Sequence, residues 1–208
     1  MRDDDADPGR VGMRGVSRDI ASGAMKTIYY TATSLDGFIA DSNNSLDWLL
    51  QFGEPGPGYH EFIEGVGALA MGSTTYEWLL DNHVRPGSVD AQPWPYAQPT
   101  WVFTSRSPRV VPEADMRFVR GDVRPAHREM AEAAAGKNVW LVGGGELAGQ
   151  FHDHGLLDEI VVQVTSVTLG RGAPLLPRRI ASPSLRLVSV ERLGEAFAEL
   201  RYEIRREE

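Results

Sequence analysis

A strand, three consecutive glycines and a short helix follow one another directly at residues 138–153, and this unit constrains the fold most. Residues 138–142 (NVWLV) are mostly apolar and rich in valine, which is typical of a buried strand. Gly143, Gly144 and Gly145 then leave the backbone without side chains. The helix predicted after them begins with N–H groups that have no partner inside it. Such a junction suits an anion such as a nucleotide phosphate, although a tight turn without a ligand also uses glycine.

Composition narrows the class of protein. The 208 residues are 42% hydrophobic and 24% charged, as in an ordinary globular domain, and the net charge is −8. We find no basic cluster apart from the mixed-sign end at Arg205 and Arg206, so we expect no nucleic-acid partner. There is no cysteine, which excludes disulfides, thiolate catalysis and zinc-cysteine sites and fits any compartment. No apolar run reaches membrane-spanning length, so we expect no membrane contact, and the lack of a secretory signal favours the cytoplasm. The five histidines do not form a metal-binding set, so no metal is expected.

The N-terminal residues differ from the rest of the chain. Residues 1–24 mix Asp, Arg and Gly with almost no large apolar side chains, which predicts a disordered or non-native extension. The folded domain is therefore expected to comprise residues 25–208.

The remaining pattern alternates strands and helices. Strands are predicted at residues 26–33, 66–72, 100–104, 116–119, 138–142, 159–169, 185–193 and 196–205. Helices are predicted at residues 43–52 (a short one), 59–64, 74–80, 128–135 and 146–153. Thr74 and Glu77 fit a capping box, residues 81–99 form a long proline-rich loop, and Gly194-Glu195 predicts a two-residue hairpin. The order predicts an α/β fold: a mixed, mostly parallel sheet of about eight strands with an antiparallel C-terminal hairpin.

Two further strand-to-loop junctions carry polar groups that suit phosphates. Gly72-Ser73-Thr74-Thr75 ends one strand and Thr104-Ser105-Arg106 ends another, and an arginine beside a hydroxyl suits a 2′-phosphate. Capping by Thr74 and an ordinary solvated strand end are the alternatives. Open α/β sheets bind ligands at the carboxyl ends of their strands, so the three junctions together indicate an extended nucleotide. The usual dinucleotide fingerprint is excluded because the next glycine after the triplet is Gly149, and no phosphate-binding loop motif is present.

These segments resemble the dihydrofolate reductase-like superfamily. The chain is most similar to its small bacterial branch, which is related to the C-terminal reductase domain of riboflavin-biosynthesis deaminase-reductases. The residues that carry the resemblance are 31–40, 71–77, 102–106, 141–147 and 170–177. It covers residues 25–206 and implies the three-layer fold of that superfamily.

The resemblance implies NADPH as the cofactor and a set of contacts. Cofactor contacts are implied for Gly72, Ser73, Thr74, Thr75, Thr104, Ser105, Arg106, Gly143, Gly144, Gly145, Glu146 and Leu147. Substrate contacts are implied for Ala32, Ser34 and Asp36 at the first strand and its turn, and Asp47 and Trp48 are further candidates. Asp36 is the catalytic candidate, to orient a substrate or relay a proton, although aspartate before glycine is also a common turn former.

The expected activity is that of an NADPH-dependent reductase of a pyrimidine- or pterin-like small molecule. The resemblance is to 5-amino-6-(5-phosphoribosylamino)uracil reductase of riboflavin biosynthesis. Dihydrofolate reductase activity and NADP binding without turnover are the alternatives. The helix carboxylate of true dihydrofolate reductases would fall near Gly58, so its absence argues against folate reduction and keeps binding without turnover open. Arg171 and the Arg178-Arg179 pair are candidates for a substrate phosphate, with solvated loop charges as the alternative. The resemblance also suggests a homodimer, which the sequence alone does not show.

Overall fold

The computed structural model describes residues 24–53 and 57–206, so the predicted N-terminal extension lies outside the described residues apart from Ala24. The strands are β1 Thr27–Thr33, β2 Phe38–Ala40, β3 Val66–Gly72, β4 Thr100–Phe103, β5 Met116–Val119, β6 Asn138–Gly143, β7 Glu159–Thr165, β8 Ala173–Pro174, β9 Leu185–Leu193 and β10 Phe197–Ile204. The helices are α1 Asp47–Leu50, α2 Pro57–Glu64, α3 Ser73–Leu79, α4 Val123–Ala133 and α5 Gly145–Asp153, and a π-helical turn at Leu80–Val84 extends α3.

Eight strands form one sheet in the order β5-β4-β3-β6-β1-β7-β10-β9. Neighbours from β5 to β7 are parallel, whereas β10 is antiparallel to both β7 and β9. The short strands β2 and β8 pair separately and lie after β1 and β7 in the chain. The predicted mixed, mostly parallel sheet with an antiparallel C-terminal hairpin is therefore confirmed.

Helices cover both faces of the sheet because its central strands are apolar on both sides. On one face, α4 and α5 pack through Met130 and Phe151 against Tyr29, Trp101 and their neighbours. On the other face, α2 packs on Tyr30 and Trp140, while α3 and its π-helical turn pack on β3 and β4. The result is a three-layer domain whose central strands all end at the same rim, here called the carboxyl rim. None of the helices in the described part of the chain has the length and apolarity needed to cross a membrane.

Several local predictions were wrong, each for a physical reason. Helix α4 begins at Val123 instead of 128, because Asp122 caps the N–H of Arg124 and Pro125 is tolerated within the first turn. The N-cap of α3 is Gly72, and no described side chain caps this helix, so the predicted Thr74 capping box does not form.

Two predictions about the C-terminal strands also needed correction. Strand β7 ends at Thr165 because the chain then leaves the sheet for the loop that leads to β8. The β9–β10 turn contains three residues, 194–196, and Gly194 at its start has a positive φ of 62°. The prediction of a two-residue hairpin was therefore wrong.

Candidate active site

The three predicted phosphate-compatible junctions are adjacent at the carboxyl rim. They follow β4, β3 and β6, which are consecutive strands in the sheet. Gly72 pairs with Phe103 and Met71 pairs with Gly143, so the three strands end nearly in register. Segments about thirty to forty residues apart in the sequence thus form one continuous polar edge. Open α/β sheets bind ligands at such an edge.

Each glycine of the triplet is required by a contact or conformation within the chain. A Cβ at Gly143 would lie 2.9 Å from Thr75 Oγ1. Gly144 has φ +95°, a backbone conformation that favours glycine. A Cβ at Gly145 would lie 2.3 Å from the carbonyl oxygen of Leu175, inside van der Waals contact. The number of glycines is thus explained without a ligand, and the phosphate contact predicted for them stays a prediction.

The start of α3 differs from the triplet because it is open. A Cβ at Gly72 would meet no atom of the described residues within 4 Å, so no packing contact among them requires glycine there. The hydroxyls of Ser73 and Thr74 make no hydrogen bond within residues 24–53 and 57–206. Thr75 differs, because its side chain lies against Gly143 and links this junction to the glycine triplet.

The third junction presents a guanidinium group. Thr104 Oγ1 accepts a hydrogen bond of 3.0 Å from the backbone N–H of Arg106, which fixes the turn after β4. Ser105 and Arg106 are exposed, and Arg106 forms no ion pair with the described residues. Nearby Arg109, in contrast, is held by Glu77 and Asp81. Arg106 therefore remains free to pair with an anion.

Two predicted cofactor residues have side chains that are engaged within the domain. The side chain of Leu147 is buried in the core under α5. Glu146 pairs with Arg178, which also binds Asp153, and the bond from Arg178 lowers the pKa of the Glu146 carboxyl. Arg178 is therefore committed to α5, and the suggestion that it binds a substrate phosphate is not supported. Arg171 is exposed in the loop after β7.

The exposed Asp36 and the buried Ser34 hold the turn after β1. Ser34 is fully buried and donates a hydrogen bond of 2.6 Å to Asp36, while its oxygen accepts the N–H of Phe38. The Asp36 carboxylate also accepts the backbone N–H groups of Leu169 and Gly170. The bond from Ser34, followed by those backbone N–H groups, lowers the pKa of Asp36.

This geometry does not favour Asp36 as a proton donor or Ser34 as a substrate contact, whereas a substrate contact of the exposed Asp36 carboxylate stays a prediction. A carboxylate with a lowered pKa is a poor proton donor near neutral pH. Asp36 therefore fits the part of a positioning residue that joins the turn after β1 to the loop after β7. The side chain of Ser34 shapes the turn and has no surface for a substrate.

The remaining substrate candidates are separated. Asp47 is exposed at the start of α1, and its N–H is bonded to Ser45 Oγ. Trp48 is 8% exposed, and its buried indole N–H has no partner among the described residues. Ala32 lies at the carboxyl rim beside Gln163 of β7.

Sequence reasoning missed Gln163, Glu199 and Thr165. Gln163 is the one amide in the otherwise apolar strand segment IVVQV, and that signal could have identified it. It donates to both the Tyr30 hydroxyl and Glu199. Burial, followed by the charge of Glu199, raises the pKa of Tyr30, so this phenol stays protonated. No group of three or more metal-ligating side chains occurs in the described parts of the chain.

Comparison with known proteins places this geometry in a family. The sequence profile of the RibD C-terminal domain matches residues 25–198. The Bacillus subtilis protein YwjB, itself uncharacterized, is 35% identical over 173 residues, which cover 82% of this chain and 94% of YwjB. A second uncharacterized protein of that organism, YyaP, is 23% identical over 176 residues, or 82% of this chain and 90% of YyaP.

Solved structures share the fold. A Shewanella sp. PV-4 protein named for riboflavin biosynthesis superimposes with a TM-score of 0.72 at 26% identity, over 88% of this chain and all of that one. A Thermotoga maritima deaminase and 5-amino-6-(5-phosphoribosylamino)uracil reductase gives 0.60 at 17% identity, over 87% of this chain and 57% of that one. Dihydrofolate reductase from Enterococcus faecalis, complexed with NADP(H), gives 0.56 at 16% identity, over 86% and 96%.

These likenesses confirm the dihydrofolate reductase-like fold, and the structural neighbours named for an activity are reductases. Because the profile spans nearly all of the described domain and YwjB is similar over most of its length, this chain belongs to the RibD C-terminal domain family.

Proposed function

We propose that this chain is an NADPH-dependent reductase of a pyrimidine- or pterin-like heterocycle, comparable to 5-amino-6-(5-phosphoribosylamino)uracil reductase. One observation carries the proposal: the glycine turn, the open start of α3 and the unpaired Arg106 are consecutive along one rim. Three adjacent polar junctions at the carboxyl ends of parallel strands suit an extended dinucleotide, and Arg106 suits the 2′-phosphate that distinguishes NADPH from NADH.

The residues present fit this cofactor. Gly72 leaves space for a pyrophosphate to approach the backbone, and Ser73 and Thr74 offer free hydroxyls beside it. Gly144 and the first N–H groups of α5 provide further donors. Bound NADPH would supply a hydride to an electrophilic carbon of the substrate. The chain itself would contribute orientation, by holding the reacting groups next to Ala32 at the rim.

Cofactor binding and substrate turnover are tested separately. Addition of NADPH should quench tryptophan fluorescence and raise the melting temperature, and NADH should do so more weakly. Absence of both effects would refute the proposal. NADPH oxidation is then followed with pyrimidine, pterin and dihydrofolate substrates. Turnover of dihydrofolate alone would favour a dihydrofolate reductase, and binding without any turnover would favour a non-catalytic NADP-binding protein.

We further propose that two copies pair through β9, and that the protein is cytoplasmic. Among the residues that the structure describes, strand β9 ends the large sheet and has no strand on its outer side. Its side chains Leu187, Val188 and Val190 are 50%, 47% and 62% exposed. An apolar strand that is unpaired on one side favours association, and a second copy offers the same strand in a self-complementary way.

A further inference from the structure

The long proline-rich loop between α3 and β4 forms part of a cavity away from the carboxyl rim. Residues between 84 and 97 make one wall, and residues 111–115, which lead into β5, make the other. The cavity therefore lies where β4 and β5 begin, at Thr100 and Met116. Its volume is about 600 Å³, which is in the range of small-molecule sites. We call it the Trp94 cavity.

Backbone hydrogen bonds hold both walls in place. The N–H of Gln92 donates to the carbonyl of Val84 at 2.9 Å and closes the loop after the π-helical turn. On the other wall, the carbonyl of Asp115 accepts the N–H of Thr100 at 2.9 Å. Prolines on both walls restrict the backbone further. The cavity is thus formed by the fold itself, as small-molecule sites usually are. Long loops of this kind are uncommon unless they have a function.

Two aromatic side chains meet in the Trp94 cavity. Trp94 and Tyr96 both line it, and their rings are inclined at 74° with centroids 5.6 Å apart. Trp94 also contacts Tyr76 of α3, and Tyr96 contacts Trp140 of β6, so the core holds both rings in position. Aromatic rings that converge in this way are typical of sites for alkylated ammonium groups, because the faces of the rings carry partial negative charge.

The indole N–H of Trp94 gives a second indication of a ligand. It is buried and has no hydrogen-bond partner among the described residues. An N–H group in that state is unfavourable, and native proteins contain few of them. It therefore favours a ligand that also carries an oxygen acceptor, such as a hydroxyl group.

The charge of the cavity indicates which ligands fit. Among the described residues that line it, Glu113 and Asp115 are the only charged ones, so none is basic. Asp115 pairs with Arg117 of β5 at 2.8 Å, whereas Glu113 is exposed and forms no ion pair with the described residues. Glu113 also has a positive φ of 65°, which is uncommon for residues other than glycine. An uncompensated carboxylate and two aromatic rings in one cavity favour a cation.

We propose that the Trp94 cavity binds a small organic cation with a quaternary or otherwise alkylated ammonium group. The ammonium group lies against Trp94 and Tyr96, and the carboxylate of Glu113 offsets its charge. The apolar side chains of the walls contact its methyl groups. This site and the proposed cofactor site lie at opposite ends of β4, so the cation binds in addition to NADPH and does not replace it.

The test uses choline as the probe. Its matched control is 3,3-dimethylbutan-1-ol, which has the same shape and hydroxyl group but a carbon atom in place of the charged nitrogen. Both are titrated into the full chain while the indole N–H signals are followed by NMR, and the Trp94 signal is identified by its loss in Trp94→Leu. We expect choline to shift this signal and to bind at least about fivefold more tightly than the alcohol. The signal of Trp101, which packs on the other face of the sheet, should not move.

A charge-neutral variant tests the carboxylate. Glu113→Gln removes one charge at an exposed position and should lower the choline affinity about threefold or more, without changing that of the alcohol. Glu132→Gln, at an exposed position of α4, is the matched control and should change the choline affinity less than about 1.5-fold. Because Trp94→Leu also removes core contacts, the melting temperatures of all variants are compared, and the proposal is judged on the exposed Glu113 position.

Three results would each overturn the proposal. Choline could leave the Trp94 signal unmoved, the uncharged alcohol could bind as tightly as choline, or Glu113→Gln and Glu132→Gln could have equal effects. None of these measurements requires NADPH, so their outcome is independent of the proposed reductase function.

Discussion

The side chain of Thr75 lies against Gly143, so that a Cβ at position 143 would come within 2.9 Å of Thr75 Oγ1. This contact joins the start of α3 to the glycine turn after β6. A second close approach, between Gly145 and the carbonyl of Leu175, joins the same turn to the segment after β8. The carboxyl rim is therefore assembled by contacts within the chain, and a ligand would meet a preorganised surface.

The glycines should differ in their effect on stability. Gly145→Ala places a methyl group against a backbone carbonyl that cannot move aside, and we expect a loss of about 1–3 kcal/mol in the free energy of unfolding. Gly143→Ala meets only the end of a side chain and should cost less. Combining Gly143→Ala with Thr75→Ala should restore part of the lost free energy of unfolding, because the clashing hydroxyl is removed. Urea denaturation measures all of these, and an equal cost at positions 143 and 145 would contradict the contacts described here.

Gly72→Ala separates packing from cofactor binding. In the described part of the chain no atom lies within 4 Å of the added methyl group, so the melting temperature should stay close to that of the wild type. If a pyrophosphate contacts the backbone there, the methyl group should weaken NADPH binding about tenfold or more, which corresponds to about 1.4 kcal/mol. Fluorescence titration measures the affinity. An unchanged affinity in a stable variant would remove Gly72 from the cofactor site.

Arg106→Gln should lower the affinity for NADPH and leave that for NADH nearly unchanged. A charge-assisted bond to a phosphate is worth about 1.5–3 kcal/mol, so we expect a loss of about tenfold to a hundredfold for NADPH. Arg128→Gln on α4 is the matched control, because it removes the same exposed charge from an element away from the rim. An equal loss of affinity for NADPH and NADH, or an equal loss of NADPH affinity in the control, would show that Arg106 does not bind the 2′-phosphate.

The parallel core could be predicted because its strands are apolar runs separated by helices, as at residues 66–72 and 138–142. The three junctions were predictable for the same reason, since parallel strands end at one rim. The structural reasons for the glycines could not be predicted, because the contacts of Gly143 and Gly145 come from residues distant in sequence.

The side-chain partners on neighbouring strands could not be predicted from the local sequence pattern either. The sequence of β10 shows Glu199 as one of several polar residues on the alternate face. Only the register with β7 shows that it meets Gln163. The turn motif of Asp36 predicted a catalytic role. Its hydrogen-bond partners Leu169 and Gly170 lie more than a hundred residues away, so the motif could not show them.

The proposed dimer predicts that charge on β9 prevents association. Val190 is 62% exposed on the outer strand, so Val190→Lys should not disturb the core. It would place an ammonium group in an apolar interface, and we expect a dimer to become a monomer in light scattering coupled to gel filtration. Val110→Lys, at a 69% exposed position outside β9, is the control and should leave the mass unchanged. A monomeric wild-type protein would refute the interface.

Asp36 predicts a pH dependence of stability. Its pKa is lowered in the folded protein from the ordinary value of 3.8, chiefly by the bond from Ser34 and then by the N–H of Leu169. The unfolded chain therefore binds the Asp36 proton more readily, and the stabilisation is complete above the ordinary pKa. It should disappear as the pH falls through the lower folded pKa.

Asp36→Asn should consequently melt below the wild type at pH 7, and the difference should shrink as the pH falls below about 4. The amide offers one oxygen in place of two, so it cannot accept all three hydrogen bonds from Ser34, Leu169 and Gly170. If Asp36 only positions the loop, the variant should keep the pH profile of NADPH oxidation and change its magnitude. A shifted profile with unchanged thermal stability would instead show that Asp36 relays a proton, because a group that only supports the loop cannot alter the profile without altering the fold.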